Sequence, residues 1–155
     1  MTREEIIKEL KRFFDIQELV CDHTYEKYKE NAWRFLQTDF LHALLIIRRD
    51  IIKAPMWCNS RTAHQRGLRC NRCQLVREKN NVYLSAHVLG CAGDFTIPSL
   101  KTAQDAREEI KANQSHLPCK IRLERWDSSG REISWVHIDT IDGGPQQPKV
   151  YEFKA

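Results

Sequence analysis

The sequence has no long hydrophobic run. Its longest apolar block, Leu41 to Ile47, contains His42 and gives way to Arg48-Arg49-Asp50, far short of the roughly 20 apolar residues that span a bilayer. No membrane insertion is expected. The opening Met-Thr-Arg-Glu-Glu has no apolar stretch of signal-peptide length behind it, so the expected location is the cytoplasm, where the protein is made and first held. The six cysteines show no spacing that suggests a disulfide framework; without an export signal they are expected to be reduced thiols. A run of basic residues is also missing. The net charge of +4 suits acidic partners, but the basic residues are scattered, which describes a solvated surface better than a nucleic-acid stripe. There is no internal repeat and no low-complexity segment. What is present, 155 residues with 41% hydrophobic and 30% charged, suits one globular domain with a real core, and a monomer is the simplest expectation.

Apolar residues set at helical spacing fill the first third. Ile6, Ile7, Leu10, Phe13 and Phe14 predict a helix over residues 3–14 with Thr2 as N-cap, and 15–20 reads as a connector. Asp22 is placed to cap a short helix with Tyr25 and Tyr28. After Thr38 a stronger helix carries Phe40, Leu41, Leu44, Leu45, Ile47, Ile51 and Ile52, and Pro55 ends it. Residues 55–81 keep neither the strand nor the helix period, and a loop of about 25 residues inside a compact domain is often functional. Residues 82–88 alternate, with Val82, Leu84, Ala86 and Val88 on the core side and Tyr83, Ser85 and His87 opposite. Gly90 marks a turn, and 91–97 alternate again, Phe95 and Ile97 inward. Ser99 is placed to cap a helix reaching about Asn113, with Leu100, Ala103, Ala106 and Ile110 inward. Strand-like runs follow at 119–126 and 133–140 around the turn-rich 127–130, and 150–153 suits an edge strand. Helices first, then an antiparallel sheet with one interposed helix, give α+β. Residues 1–54 form the helical layer and 55–155 the core that carries the chemistry.

That chemistry centres on Ser85-Ala-His-Val-Leu-Gly-Cys-Ala-Gly-Asp94, where an imidazole and a carboxylate stand among small residues. A catalytic zinc site takes three protein ligands of this kind and keeps one position open. His64, His116 and His137 are candidates for the third. In 133–140, Val136 and Ile138 must face the core, so Trp135, His137 and Asp139 share the face assigned to His87 and Asp94. His137 is the choice. The same parity nominates a general base: Ile121 and Leu123 point inward, which turns Arg122, Glu124 and Trp126 toward the His137 face if the two strands hairpin. Asp127 and Glu132 stand behind Glu124 as alternatives.

Ser85-x-His87-x-x-Gly90-x-Ala92-x-Asp94, followed by Trp135-Val-His137-Ile-Asp139, resembles peptidase family M15. That family comprises the zinc D-Ala-D-Ala carboxypeptidases and phage L-alanyl-D-glutamate endolysins, with a fold shared with the hedgehog signalling domain. The likeness covers roughly residues 50–140. It implies one catalytic Zn2+ on His87, Asp94 and His137, a substrate-binding arginine at Arg61, and a peptidoglycan stem or cross-link peptide as substrate. It also implies action on the cell wall after release, as by a phage or prophage endolysin. Many members carry the catalytic carboxylate three residues before the last histidine, where this chain has Ser134; in others the acid closes the preceding strand, which matches Glu124. Ser85, on the face of His87, is placed to hydrogen-bond the peptide, and Asp139 either orients a ligand or is a surface aspartate.

Two other function classes stand beside this one. One is a non-catalytic zinc-containing binding or structural protein on the same fold. The other is a small nucleic-acid-binding protein built on Cys70-Asn-Arg-Cys73 and its arginines. That Cys-x-x-Cys invites a second, structural metal completed by Cys58 and either His64 or Cys91, although chance alone often produces such a spacing among six cysteines.

Overall fold

The chain begins with a reciprocal cap. In the computed structural model, which describes residues 1–98 and 102–155, the Thr2 hydroxyl accepts from Glu5 N at 3.3 Å and the Glu5 carboxylate accepts from Thr2 N at 2.7 Å. Two orphan donors are thereby satisfied, and α1 (Arg3–Leu10) starts there with Ile6 and Leu10 buried. The helix is shorter than its apolar pattern: Phe13 and Phe14 lie in the turn beyond it. The stretch expected to be a connector holds one helical turn, α2 (Ile16–Leu19), started by a second reciprocal cap between Asp15 and Glu18. Next come α3 (Asp22–Tyr28), a 3-10 segment (Lys29–Phe35) and α4 (Thr38–Ile46). Beyond α4 the backbone widens into a π turn (Ile47–Ile52) and stops at Lys53, which adopts φ 54°, two residues before Pro55. One guanidinium ties this layer together: Arg3 donates to the Trp33 and Leu36 carbonyls, both at 2.8 Å, and to the Thr38 hydroxyl at 2.7 Å.

Four strands form one sheet: β1 (Ala92–Phe95), β2 (Ile121–Trp126), β3 (Val136–Asp139) and β4 (Val150–Lys154), in the order β1-β3-β2-β4. β3 runs antiparallel to both β1 and β2, but β4 runs parallel to β2, with Ile121 opposite Val150. The sheet is therefore mixed and not the antiparallel one expected. β3 ends beside the start of β2, and residues 140–149 cross to β4 at that same end, so the last strand runs in the sense of β2. The protein is α+β. A short helix, α5 (Gln74–Arg77), interrupts the irregular stretch, and α6 (Ala103–Ala112) precedes β2. Thr102 caps α6, accepting from Asp105 N at 3.1 Å; the expected cap Ser99 and inward Leu100 lie outside the described residues.

Helical layer and sheet share one core, in which Ile6, Leu10, Phe40, Leu41, Phe95 and Ile138 are almost completely buried. Each such side chain contributes about 1.5–3 kcal/mol of transfer free energy. Gly93 sets the contact between layers, since a Cβ there would lie 2.8 Å from the Phe95 ring and 3.3 Å from Phe40. Arg107, 1% exposed, fastens α6 to the hairpin by donating to Trp135 O and Glu132 Oε1, both at 3.1 Å.

The expected strand over 82–88 does not exist. Val82 is 87% and Leu84 66% exposed, and the chain from Ser85 winds through a tight turn: Leu89 N donates to Ser85 O at 3.0 Å and Cys91 N to Ala86 O at 3.0 Å. Gly90 closes that turn at φ 71°, where any Cβ would sit 2.1 Å from Phe35 O. Local backbone closure overrides the alternation: among the described residues no strand pairs with 82–88.

Candidate metal centre

The register of β1 on β3 places Asp94 directly opposite His137. Directly opposed residues present their side chains on the same face of a sheet, so His137 Nδ1 comes to 2.7 Å from Asp94 Oδ1. His87 reaches the same point from its turn, with Nε2 3.4 Å from Asp94 Oδ2. One ligand atom from each of these three buried residues lies within 4.8 Å of the other two.

Each histidine is oriented from behind. Gly67 O lies 2.9 Å from His87 Nδ1; a carbonyl only accepts, so Nδ1 carries the proton and Nε2 turns its lone pair toward Asp94. His137 Nε2 lies 2.9 Å from Asp139 Oδ2. Asp139 is fully buried and also accepts from Arg122 at 2.8 and 3.0 Å and from Ile141 N at 2.9 Å. A carboxylate behind a ligand histidine fixes the ring and raises its basicity. Burial by itself would lower the His137 pKa, but hydrogen bonds to Asp139 and Asp94 outweigh it and hold the imidazole up at about 9. Burial would raise the Asp94 carboxyl, and the hydrogen bond from His137 overcomes this and holds it far below the usual range. Burial keeps His87 low, only partly offset by Asp94. The donor set is therefore one neutral imidazole, one carboxylate and one imidazole that sheds a proton to bind a cation. Such a set of nitrogen and oxygen donors can hold a metal ion.

A cleft of about 340 Å3 opens over the three ligands, within the range of sites that hold small molecules or a few residues of peptide. Glu124 and Ser85 line it, with Arg69, Trp135 and Phe153. Glu124 is half-buried, and burial raises its carboxyl above the ordinary value although His137 opposes the shift. The two alternative acids are engaged elsewhere. Asp127 organises the 127–131 turn through Ser129 and Arg131, which hold its carboxyl at about 2. Glu132 pairs with Arg107 and Arg125. Ser85 has a local task as well: its hydroxyl accepts from Val88 N at 3.4 Å and helps close the turn that carries His87.

Arg61 is not at this cleft. Ser60 N donates to Ala63 O at 2.7 Å, folding the loop on itself, and Arg61 lines a separate depression with Trp57, Thr62 and Arg66. The cation beside the ligands is Arg69, 3.6 Å from Asp94 Oδ2 and anchored by its Nε on Gln65 O at 2.6 Å. Arg122 stands on the same wall, its guanidinium 4.5 Å above the Phe153 ring. Strand parity puts Arg122 on the face of Glu124, and the β2–β3 register sets it opposite Asp139 as a cross-strand opposite-charge pair. Arg69 lies in the irregular stretch, where no period signals it.

The cysteine expectation is also corrected. Cys58, His64 and Cys91 do not join Cys70 and Cys73: Cys58 is wholly buried and burial pushes its thiol up, Cys91 donates to Ala86 O, and His64 lies on Arg61 O. The side chains near Cys70 and Cys73 are Cys21 and His23. Among the described residues two ligand clusters are present, one at His87, Asp94 and His137 and one around Cys70 and Cys73 with partners other than those expected. The chain matches no family model, no curated protein and no solved structure. Among the described residues no helix is long and apolar enough to cross a membrane.

Proposed function

We propose that the protein is a zinc-dependent metallopeptidase that cleaves peptidoglycan peptides, of the D-Ala-D-Ala carboxypeptidase or L-Ala-D-Glu endopeptidase type. The observation that carries this reading is the convergence of His87, Asp94 and His137 beneath a cleft walled by a half-buried glutamate and an arginine. The Ser85–Asp94 and Trp135–Asp139 strings, with their likeness to family M15, supply the substrate class. The same likeness supports a hedgehog-like arrangement of helices and sheet and a role as a wall-degrading endolysin.

Zinc held by the three ligands supplies a Lewis acid and a water of lowered pKa. The chain's own groups do the rest. Glu124 takes the proton of the attacking water and delivers it to the leaving amine as the C–N bond breaks, and its raised pKa brings it closer to neutral operating pH. The Arg69 guanidinium holds a substrate carboxylate or the developing oxyanion. Asp139 and Gly67 O keep the two imidazoles aimed. Exposed Leu84, with Tyr83 and Trp135, offers the peptide an apolar rim.

Digestion of purified peptidoglycan, followed by mass spectrometry of the released peptides, tests the reading and identifies the bond. Products are expected from the wild type and none from His87→Ala. Glu124→Gln should keep its zinc and lose roughly 10²-fold or more in turnover. A folded, zinc-loaded wild type that releases nothing from any wall preparation would instead make this a non-catalytic zinc-containing binding protein. Ser134, which stands where many family members carry their acid, favours that second reading.

A further inference from the structure

The second cluster lies between segments 47 residues apart. Cys21 is the N-cap of α3 and His23 stands in its first turn. Cys70 and Cys73 form a knuckle in which Cys73 N donates to Cys70 O at 3.0 Å and Arg72 N to Cys70 Sγ at 3.4 Å. Backbone pairing draws the two together: Leu68 N donates to Leu19 O and Cys21 N to Leu68 O, both at 2.9 Å. Gly67 permits the approach, because a Cβ there would lie 2.2 Å from Leu19 O. All three thiols are free, and with His23 Nδ1 they offer four ligand atoms within 4.8 Å of one another.

We infer that Cys21, His23, Cys70 and Cys73 hold a structural zinc ion that clips the N-terminal helices to the wall of the cleft. The spacings agree with one tetrahedron. Zinc bonds of 2.3 Å to sulfur and about 2.05 Å to nitrogen give ligand–ligand edges of about 3.8 and 3.6 Å. Cys70 Sγ lies 3.9 Å from Cys73 Sγ and 3.7 Å from His23 Nδ1, and Cys73 Sγ lies 4.0 Å from that nitrogen. Three sulfurs and one imidazole select zinc over the hard cations that prefer oxygen. Four protein ligands leave no open position, so the site is structural and not catalytic. The clip bears on the other centre through one short segment: Gly67 O orients His87 and Arg69 faces Asp94, immediately before Cys70.

Cobalt substitution of the untagged, full-length protein tests this independently of any peptidase activity. The His87, Asp94 and His137 set contains no sulfur, so a sulfur-to-cobalt charge-transfer band reports the cysteine cluster alone. The band is expected in the wild type and in His87→Ala, with about two zinc ions per chain in the first and about one in the second. Cys70→Ser should lose or shift the band and release one zinc. Should that variant fail to fold, alkylation of the wild type decides: three of the six thiols should be protected by zinc and become reactive with a chelator. A cobalt-loaded wild type without the band, or six thiols whose reactivity ignores the chelator, would overturn the assignment.

Discussion

Replacing Asp139 by Asn isolates the group that stands behind a metal ligand. Asp139 is fully buried and accepts from Arg122, His137 and Ile141 N. Asparagine keeps the shape and can still accept from His137 Nε2, but removes the charge that raises the basicity of the ring. Loss of such a partner weakens metal binding about 10- to 100-fold, or about 1.4–2.7 kcal/mol. Folding suffers too, since breaking a buried ion pair costs about 3–5 kcal/mol. The Arg122 side chain is 22% exposed and retains some water, so the lower end applies. At about 0.05–0.15 kcal/mol per residue, 155 residues hold about 8–23 kcal/mol in total, and the variant should stay folded at room temperature. Competition against a chromophoric chelator measures the affinity, and the sulfur-ligated site, read by its own cobalt band, serves as the internal control. A folded Asp139→Asn protein with zinc affinity at this centre within about twofold of wild type would refute the argument that Asp139 tunes His137.

Arg69→Ala should retain zinc and lose about 10²–10³ in turnover, by analogy with loss of one oxyanion donor; Arg61→Ala, on its separate depression, should leave kinetics unchanged, and the reverse pattern would restore Arg61 to the site. Gly90→Ala places a side chain at φ 71° against Phe35 O and should cost at least about 1–3 kcal/mol, visible as a lower Tm; an unchanged Tm would mean the turn relaxes freely. Asp94 and Asp139 have folded pKa values below 3.8, so their stabilising contribution is complete above that value and is lost as pH falls below it. Thermal melts of the metal-free protein should therefore weaken on acidification below about pH 4, less so for Asp139→Asn; identical profiles would contradict this.

Regular structure is where the sequence spoke most clearly. Alternation in β3 put His137 on the face of Asp94, and the antiparallel β1–β3 register delivers that pairing. His87 arrived on other terms: its stretch alternates like a strand but folds as a turn, because Gly90 and the Ser85 carbonyl close it before any sheet partner is met. Arg69, and the pairing of Cys21 and His23 with Cys70 and Cys73, stay hidden in the sequence. Residues 55–90 have no side-chain period, and chain reversals there bring together residues that no spacing relates. The direction of β4 escaped for a similar reason, since a strand's hydrophobic pattern does not state which way it runs.

Gly67, Leu68, Arg69 and Cys70 are four successive residues with four separate obligations: a carbonyl for His87, a backbone pair for Leu19, a cation for Asp94 and a sulfur for the cysteine cluster. Irregular chain usually absorbs insertions and deletions at little cost. This stretch cannot, because one residue added or removed moves at least two of those groups by a residue's length. The exposed 78–82, only a few positions onward, carry no such load. Length variation in this protein should therefore collect in 78–82 and stop short of 67–73, and a library of single-codon insertions scored for folded, metal-loaded product would show that boundary.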